Sequence, residues 1–277
     1  MSEALIFLAA PIAMSILLVG IHAYLGLHVL ERDVIFVDIS LSQVAALGAA
    51  MASLVPQLDS EGAGATGISL GLCLLVALAL SLFRAFEKKI SQEALIGITY
   101  ALASGALILV MDRLPHGAEH LKEALIGNIL FVTWPQVALV AGVYSAVGLI
   151  HVLFRKQFWA STHGQQKSLL WDFIFYFLFG TVITFSTHHA GVLVVFSILV
   201  VPAALATRFV GTLTARLFLA WGLGVLGILG AFFISYKWDL PAGAGIVATL
   251  TTGFFLILIG GNIYDAIQAR RSSATAL

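Results

Sequence analysis

The chain has 277 residues, 60% of them hydrophobic and 10% charged, whereas a soluble domain is about half apolar and a quarter charged. Its apolar residues come in runs of about twenty, enough to cross ~30 Å of hydrocarbon, and they lack the period-two alternation of a membrane β-barrel. Formal net charge is zero and Cys73 is the only cysteine, so nothing points to a nucleic-acid partner, and one chain cannot build a disulfide framework or a cysteine metal cluster.

In chain order the predicted elements are apolar spans at 4–30, 35–56, 67–86, 93–111, 125–153, 169–187, 190–207, 216–235 and 243–263. The first has no positive charge ahead of it and is too long for a secretory signal peptide, so it is read as a retained span. The seventh is barely long enough, and a broken or re-entrant helix is its alternative. Short polar stretches separate the spans, and none is large enough for a soluble domain. The expected fold is therefore an all-α polytopic transmembrane bundle of eight to nine spans, one transmembrane domain over residues 1–277.

Nine spans put the termini on opposite sides. With the C-terminus inside, Arg32, Arg84, Lys88, Lys89, Arg155, Lys156, Lys167, Arg208, Arg216, Arg270 and Arg271 are cytosolic. Only Arg113, Lys122 and Lys237 are then outside. The positive-inside rule thus places the N-terminus outside and the C-terminus in the cytosol.

No G-x-x-x-x-G-K-S/T phosphate loop is present, so ATP drive would need a second chain. Proton-coupled transporters usually bury several carboxylates. Here Asp33, Asp112, Asp172, Asp239 and Asp265 sit at span ends, and only Asp38 falls within a span. Among the eight histidines, His116, His120, His188 and His189 fall at the outer face. "HGAEH" puts His116 and His120 at i, i+4 on one helical face, a spacing many zinc sites use. Two readings stand: part of a metal site, or polar residues at a wet interface. His22 is expected to be hydrogen-bonded in the bundle, and His28 to reach the inner interface.

The second span opens with Asp38, Ser40, Ser42 and Gln43 and continues in small residues, Ala45, Ala46, Gly48, Ala49 and Ala50. Intramembrane polar groups face a bundle interior or a water path, and small residues let helices approach closely. A pathway lining and a helix-packing face both fit. Between the seventh and eighth spans, "VVPAALATRFVG" is nearly apolar although it lies at the inner surface, which suits a surface covered by a partner. A tight interhelical turn is its alternative.

Several stretches, in order, resemble the ABC-3 family of permeases, the membrane subunits of bacterial ABC importers for zinc, manganese and iron. They are "LGLHVLERDVIFVDISLSQVAALGA", "EALIGITYALASGALILV", "LIGNIL", "GVLVVFSILVVPAALATRF" and "DLPAGAGIVATLTTGFFLIL". The resemblance implies a multi-pass permease of the bacterial cytoplasmic membrane, working as a homodimer in the lipid bilayer. It also implies two copies of an ABC ATPase carrying ATP and Mg, and an extracytoplasmic metal-binding protein. The chain itself would hold no cofactor, with a divalent ion as cargo, and would be no enzyme. A short coupling helix would dock in the ATPase at about residues 203–214, involving Pro202, Ala203, Ala204, Ala206, Arg208 and Gly211. The family's helical Asp and His pathway pair falls on Asp38 and Ser42 when aligned on Arg32, or on Ile39 and Gln43 when aligned on the Leu–Ser pair. Neither register keeps the histidine, which either weakens zinc as cargo or means that other histidines serve. The family's Phe–Asp–Glu-type cytosolic stretch is also absent, and "RKQFWASTHGQQK" stands in its place. The readings from other classes are a membrane-embedded metal-dependent enzyme and a secondary metal transporter.

Overall fold

Long apolar runs in a membrane must satisfy their own backbone hydrogen bonds, and with no period-two pattern a helix is the available solution. A computed structural model, which describes residues 2–55, 62–86, 89–115, 117–163 and 168–275, gives that outcome. Its helices are α1 (Ser2–Glu31), α2 (Val37–Ser53), α3 (Ala63–Phe86), α4 (Gln92–Met111), α5 (Gly117–Ile126), α6 (Trp134–Leu153), α7 (Arg155–Thr162), α8 (Leu169–Ala190), α9 (Val192–Phe209), α10 (Leu213–Trp238) and α11 (Ala242–Thr275), with a 3-10 turn at Ile129–Phe131. Among the described residues no strand occurs.

Eight helices are long and apolar enough to cross a membrane: α1, α3, α4, α6, α8, α9, α10 and α11. The second expected span is α2, which has 17 residues, about 25 Å at the helical rise. It still runs from one end of the bundle to the other, packed against α3, α4 and α8. Gly48 makes this possible, because a Cβ there would stand 2.5 Å from the Ser69 Cα of α3. Small residues thus give α2 the close approach expected of them.

Two boundaries differ from the sequence reading. The expected span 125–153 starts at Trp134, and the preceding residues form α5 and the 3-10 turn. Gly127 takes φ +69 and ends α5. Gln136 Oε1 then accepts from the Thr133 amide at 2.8 Å and its hydroxyl at 2.9 Å, and Pro135 sits in the first turn of α6, where its missing N–H is harmless. The seventh span is the unbroken helix α9, not a broken or re-entrant one, and Pro202 lies inside it. Its ring is buried, and a Cβ at Gly224 of α10 would stand 3.4 Å from the Pro202 Cγ. The proline therefore removes one backbone bond from α9 without ending it.

The core runs through α1, α2, α8 and α9, where the largest fully buried side chains include Phe175, Tyr176 and Phe179 of α8, and Phe158 of α7 packs against Phe175. α4 is peripheral, with 17% of its apolar window buried against 56% for α8 and α9. Its Ile98, Leu102 and Leu109 are exposed, as lipid-facing residues are.

A cavity above a buried carboxylate

The eight membrane-length helices and the shorter α2 alternate between two ends. At one end α1 gives way to α2 and α8 turns out of α7; this end carries Arg32, Arg84, Arg208 and Arg216. The other end holds the junctions α8–α9 and α10–α11. A cavity of about 500 Å³ opens there. Its walls come from α2 (Ala45, Ala46, Ala49, Ala50, Ser53), α3 (Ala65, Thr66, Ser69), α5 (His120, Glu123), Asn128, Gln136 of α6, and α8 (Thr184, Thr187, His188, His189).

The structure thus brings together three of the four outer histidines that sequence placed near one face: His120, His188 and His189. His116 lies outside the described residues. The agent is a backbone clasp. Gly127 and Gly191 both take positive φ, +69 and +78, and a Cβ on Gly127 would collide with the Ala190 carbonyl. The Asn128 amide donates to the His189 carbonyl at 3.2 Å. Only glycine fits such conformations at this spacing. His188 and His189 sit 4.9 Å apart by ring centroid, and His120 Nδ1 lies 3.7 Å from Glu123 Oε2. Among the described residues, however, no three His, Cys, Asp or Glu side chains converge as a metal site requires. The cavity offers scattered donors, not a resident cage. Glu123, Asn128 and Gln136 were not singled out from the sequence. Asn128 lies in the quoted "LIGNIL" stretch, which was the signal available.

Below the cavity the bundle closes. The Ser69 hydroxyl donates to the Ala45 carbonyl at 2.8 Å. Cys73 Sγ lies 3.4 Å from the Thr184 hydroxyl and 3.8 Å from the Leu41 carbonyl. A Cβ on Gly180 would touch the Cys73 Cβ at 3.3 Å. Beneath this constriction, Asp38 and Ser42 continue the helical stripe that lines the cavity at Ala45, Ala46, Ala49 and Ser53, at steps of three and four residues. Asp38 is about 10 Å deeper than Ala45 by helical rise. Gln43 is rotated about 100° from Ser42 and is buried. Asp38 is wholly buried, and neither of its oxygens has a hydrogen-bond partner. The Ser40 and Ser42 hydroxyls are likewise buried without one. A buried carboxylate is costly unless paired, and such exceptions call for a role or a ligand.

At the basic end a cluster unforeseen in the sequence is fully partnered. Asp172 Oδ1 accepts from Arg32 at 3.1 Å, from Arg84 at 2.5 Å and from the Ser161 hydroxyl at 2.6 Å. Arg32 also donates to Thr162 at 3.1 Å. Asp172 was expected at a span end, and it is there, but buried. His28 is buried rather than at a water interface: its Nδ1 lies 2.8 Å from the Thr162 hydroxyl and its Nε2 lies 2.9 Å from the Tyr24 hydroxyl. His22 is hydrogen-bonded in the bundle as expected, with Nδ1 2.8 Å from the Leu18 carbonyl and Nε2 3.1 Å from the Ser186 hydroxyl.

The expected short helix at 203–214 does not form. α9 continues to Phe209, and Pro202, Ala203 and Ala206 are buried, with Ala204 half-buried. Ala206 packs with Ala23 of α1 and Ala220 of α10, and a Cβ on Gly26 would collide with the Leu199 carbonyl oxygen. The small residues serve packing inside the chain. What faces outward is the turn itself, where Arg208, Phe209, Gly211 and Thr212 are exposed.

The chain is 24% identical over 257 residues to a manganese transport system membrane protein, MntC, of Halalkalibacterium halodurans, covering 90% of this chain and 86% of that one. It is 30% identical over 153 residues to a manganese import system permease protein, ScaB, of Streptococcus pneumoniae, covering 53% of this chain and 55% of that one. Among solved structures, PsaBC from Streptococcus pneumoniae in complex with Fab has a chain that superposes with a TM-score of 0.72 at 23% identity, over 91% of this chain and 90% of that one; the two share a fold. The model of the ABC 3 transport family matches residues 4–261, and with the helical bundle and its cavity this places the chain in that family of membrane transport components.

Proposed function

We propose that this chain is the permease of an ATP-binding cassette importer that moves a divalent transition-metal ion, manganese first, across the bacterial cytoplasmic membrane. The observation that carries the reading is the unpartnered Asp38 carboxylate, on the same helical stripe as the cavity wall and closed off from it by one constriction. A dication entering the cavity would meet hydroxyl, amide and imidazole donors, with His120, His188 and His189 at the mouth. It would reach Asp38 and Ser42 once α2, α3 and α8 part at Leu41, Cys73 and Gly180. Oxygen donors at this level suit a harder ion such as manganese better than zinc, and the relatives' names agree.

In this reading the chain works as a homodimer with two ATPase chains, and an extracytoplasmic protein delivers the ion. The basic end faces the cytosol, so the N-terminus is outside. The ATPase docks on the exposed turn at 208–212, a smaller surface than 203–214. ATP and Mg stay on that partner. A secondary transporter would work without it.

The test is Mn(II) uptake by cells carrying this chain with its cognate ATPase, with Zn(II) and Fe(II) as competitors. Arg208→Glu with Gly211→Trp should leave the chain inserted, since open space surrounds Gly211, while abolishing ATPase co-purification and uptake. Uptake that survives loss of the ATPase would overturn the reading in favour of a secondary transporter.

A further inference from the structure

The exposed turn and the cavity stand at opposite ends of the bundle, and two helices join them. α9 begins beside the clasp at Gly191 and ends at Arg208 and Phe209. α11 begins beside the same clasp: a Cβ on Gly243 would collide with the Ile126 carbonyl oxygen. The backbone at Ile126–Gly127 is therefore pressed by α11 through Gly243 and by the α8–α9 turn through Gly191. Gly127 and Asn128, next in the chain, are cavity wall.

At the basic end the same two helices meet again. Arg208 Nη2 donates to Asp265 Oδ2 of α11 at 2.7 Å. A Cβ on Gly261 of α11 would touch the Phe209 ring at 3.4 Å. α9 and α11 also pack on each other directly. α11 has 34 residues, about 50 Å, so it outreaches the ~30 Å hydrocarbon layer and carries Asp265 to the level of the turn.

We infer that α9 and α11 form a closed frame, pinned at one end by Arg208–Asp265 and at the other by Gly191 and Gly243 against Ile126–Gly127. Displacement of the docking turn is delivered through this frame to the cavity wall at Gly127–Asn128. Packed elements shift between discrete arrangements and do not stretch, so a frame fixed at both ends passes on a motion that a lone helix would absorb. Asp265 and Gly243 are positioning residues in this scheme, and neither lines the cavity. The inference rests on the proposed docking of an ATPase at the turn.

The experiment uses the complete complex of this chain with its cognate ATPase, reconstituted in lipid. Spin labels at Ser53→Cys of α2 and Leu139→Cys of α6, both on the cavity wall, report its width in a common Cys73→Ser background. ATP with vanadate should shift the label distance in the otherwise unsubstituted complex. Asp265→Ala should retain the ATPase and its hydrolysis, halve that shift or more, and raise the ATP consumed per Mn(II) moved about threefold, near the effect an exposed ion pair can carry. The conservative variant Asp265→Glu, which keeps a carboxylate for Arg208 and leaves the docking turn untouched, should retain the shift. Gly243→Ala should blunt the shift from the other end, again with hydrolysis retained. A full shift and an unchanged ATP-to-Mn(II) ratio in Asp265→Ala overturn the frame, while the docking reading stands. No ATPase bound to the unsubstituted chain overturns both.

Discussion

Asp38 has no partner for either oxygen, although it is wholly buried. A carboxylate kept in that state lowers stability, and residues that oppose stability cluster where function requires them. Asp38→Asn removes the charge and keeps the shape. It should raise the thermal midpoint of the purified chain or leave it unchanged, and lower Mn(II) uptake at limiting metal at least about tenfold, because a dication is held far more strongly by a charged oxygen than by an amide. Uptake and a melting curve on the same preparation decide this. A destabilised variant with normal uptake would make Asp38 structural. His188 and His189 stand differently, since they flank the clasp and face the cavity mouth without completing a metal cage. His188→Ala with His189→Ala should raise the Mn(II) concentration for half-maximal uptake about tenfold, as loss of outer ligand shells does, with the maximal rate kept. Wild-type uptake in the double variant would leave both as interface residues.

At the scale of elements, the short helix α7 shows how buried charge fixes a loop. The sequence "RKQFWASTHGQQK" reads as a solvated stretch, yet Phe158, Ser161 and Thr162 are buried. Arg84 donates to the Ser161 carbonyl at 3.0 Å, and Arg32 reaches both Ser161 and Thr162 hydroxyls. The Asp172 carboxylate closes the cluster. Breaking a buried pair from one side costs about 3–5 kcal/mol, because the other charge is left uncompensated. Asp172→Ala should therefore destabilise the chain by that amount, and more than Arg84→Ala, whose guanidinium keeps some access to water. Denaturant midpoints of the detergent-solubilised variants would show the order. The α9 end teaches the converse lesson. Three alanines and a proline look in sequence like a surface prepared for a partner, but Ala203 lies against Gly26 of α1 and Ala206 packs with Ala23 of α1 and Ala220 of α10. Gly26→Leu should disrupt that crossing and prevent insertion of a stable bundle, measured as loss of a monodisperse peak in detergent.

Across the whole molecule, the two ends differ in charge as well as in cavity. Arg216 pairs with Glu31 at 2.6 Å and Arg208 with Asp265 at 2.7 Å at the end opposite the cavity. With that end in the cytosol, a reporter fused after Leu277 should be active only in its cytosol-requiring form. Activity of the periplasm-requiring form would reverse the reading of the cavity as the outer mouth. The class of the protein was legible in its sequence because hydrocarbon leaves few options: apolar runs without alternation must be helices, and their number and length follow from counting. The resemblance to the family rested on short motifs taken in order along the chain, and the family's model matches residues 4–261. The helical stripe through Asp38 and Ser42 was also readable, since it depends only on the helical repeat. What sequence left open were contacts between segments far apart in the chain. Periodicity does not say that Gly127 and Gly191 touch, or that His120, His188 and His189 line one cavity. Nor does it say that Asp172 sits under Arg32 and Arg84, 140 and 88 residues away. Small residues promise close packing but do not name the neighbour. Whether Ala203 meets a partner or Gly26 of its own chain is decided only when the helices are packed, because burial is a property of the assembled bundle and not of the segment.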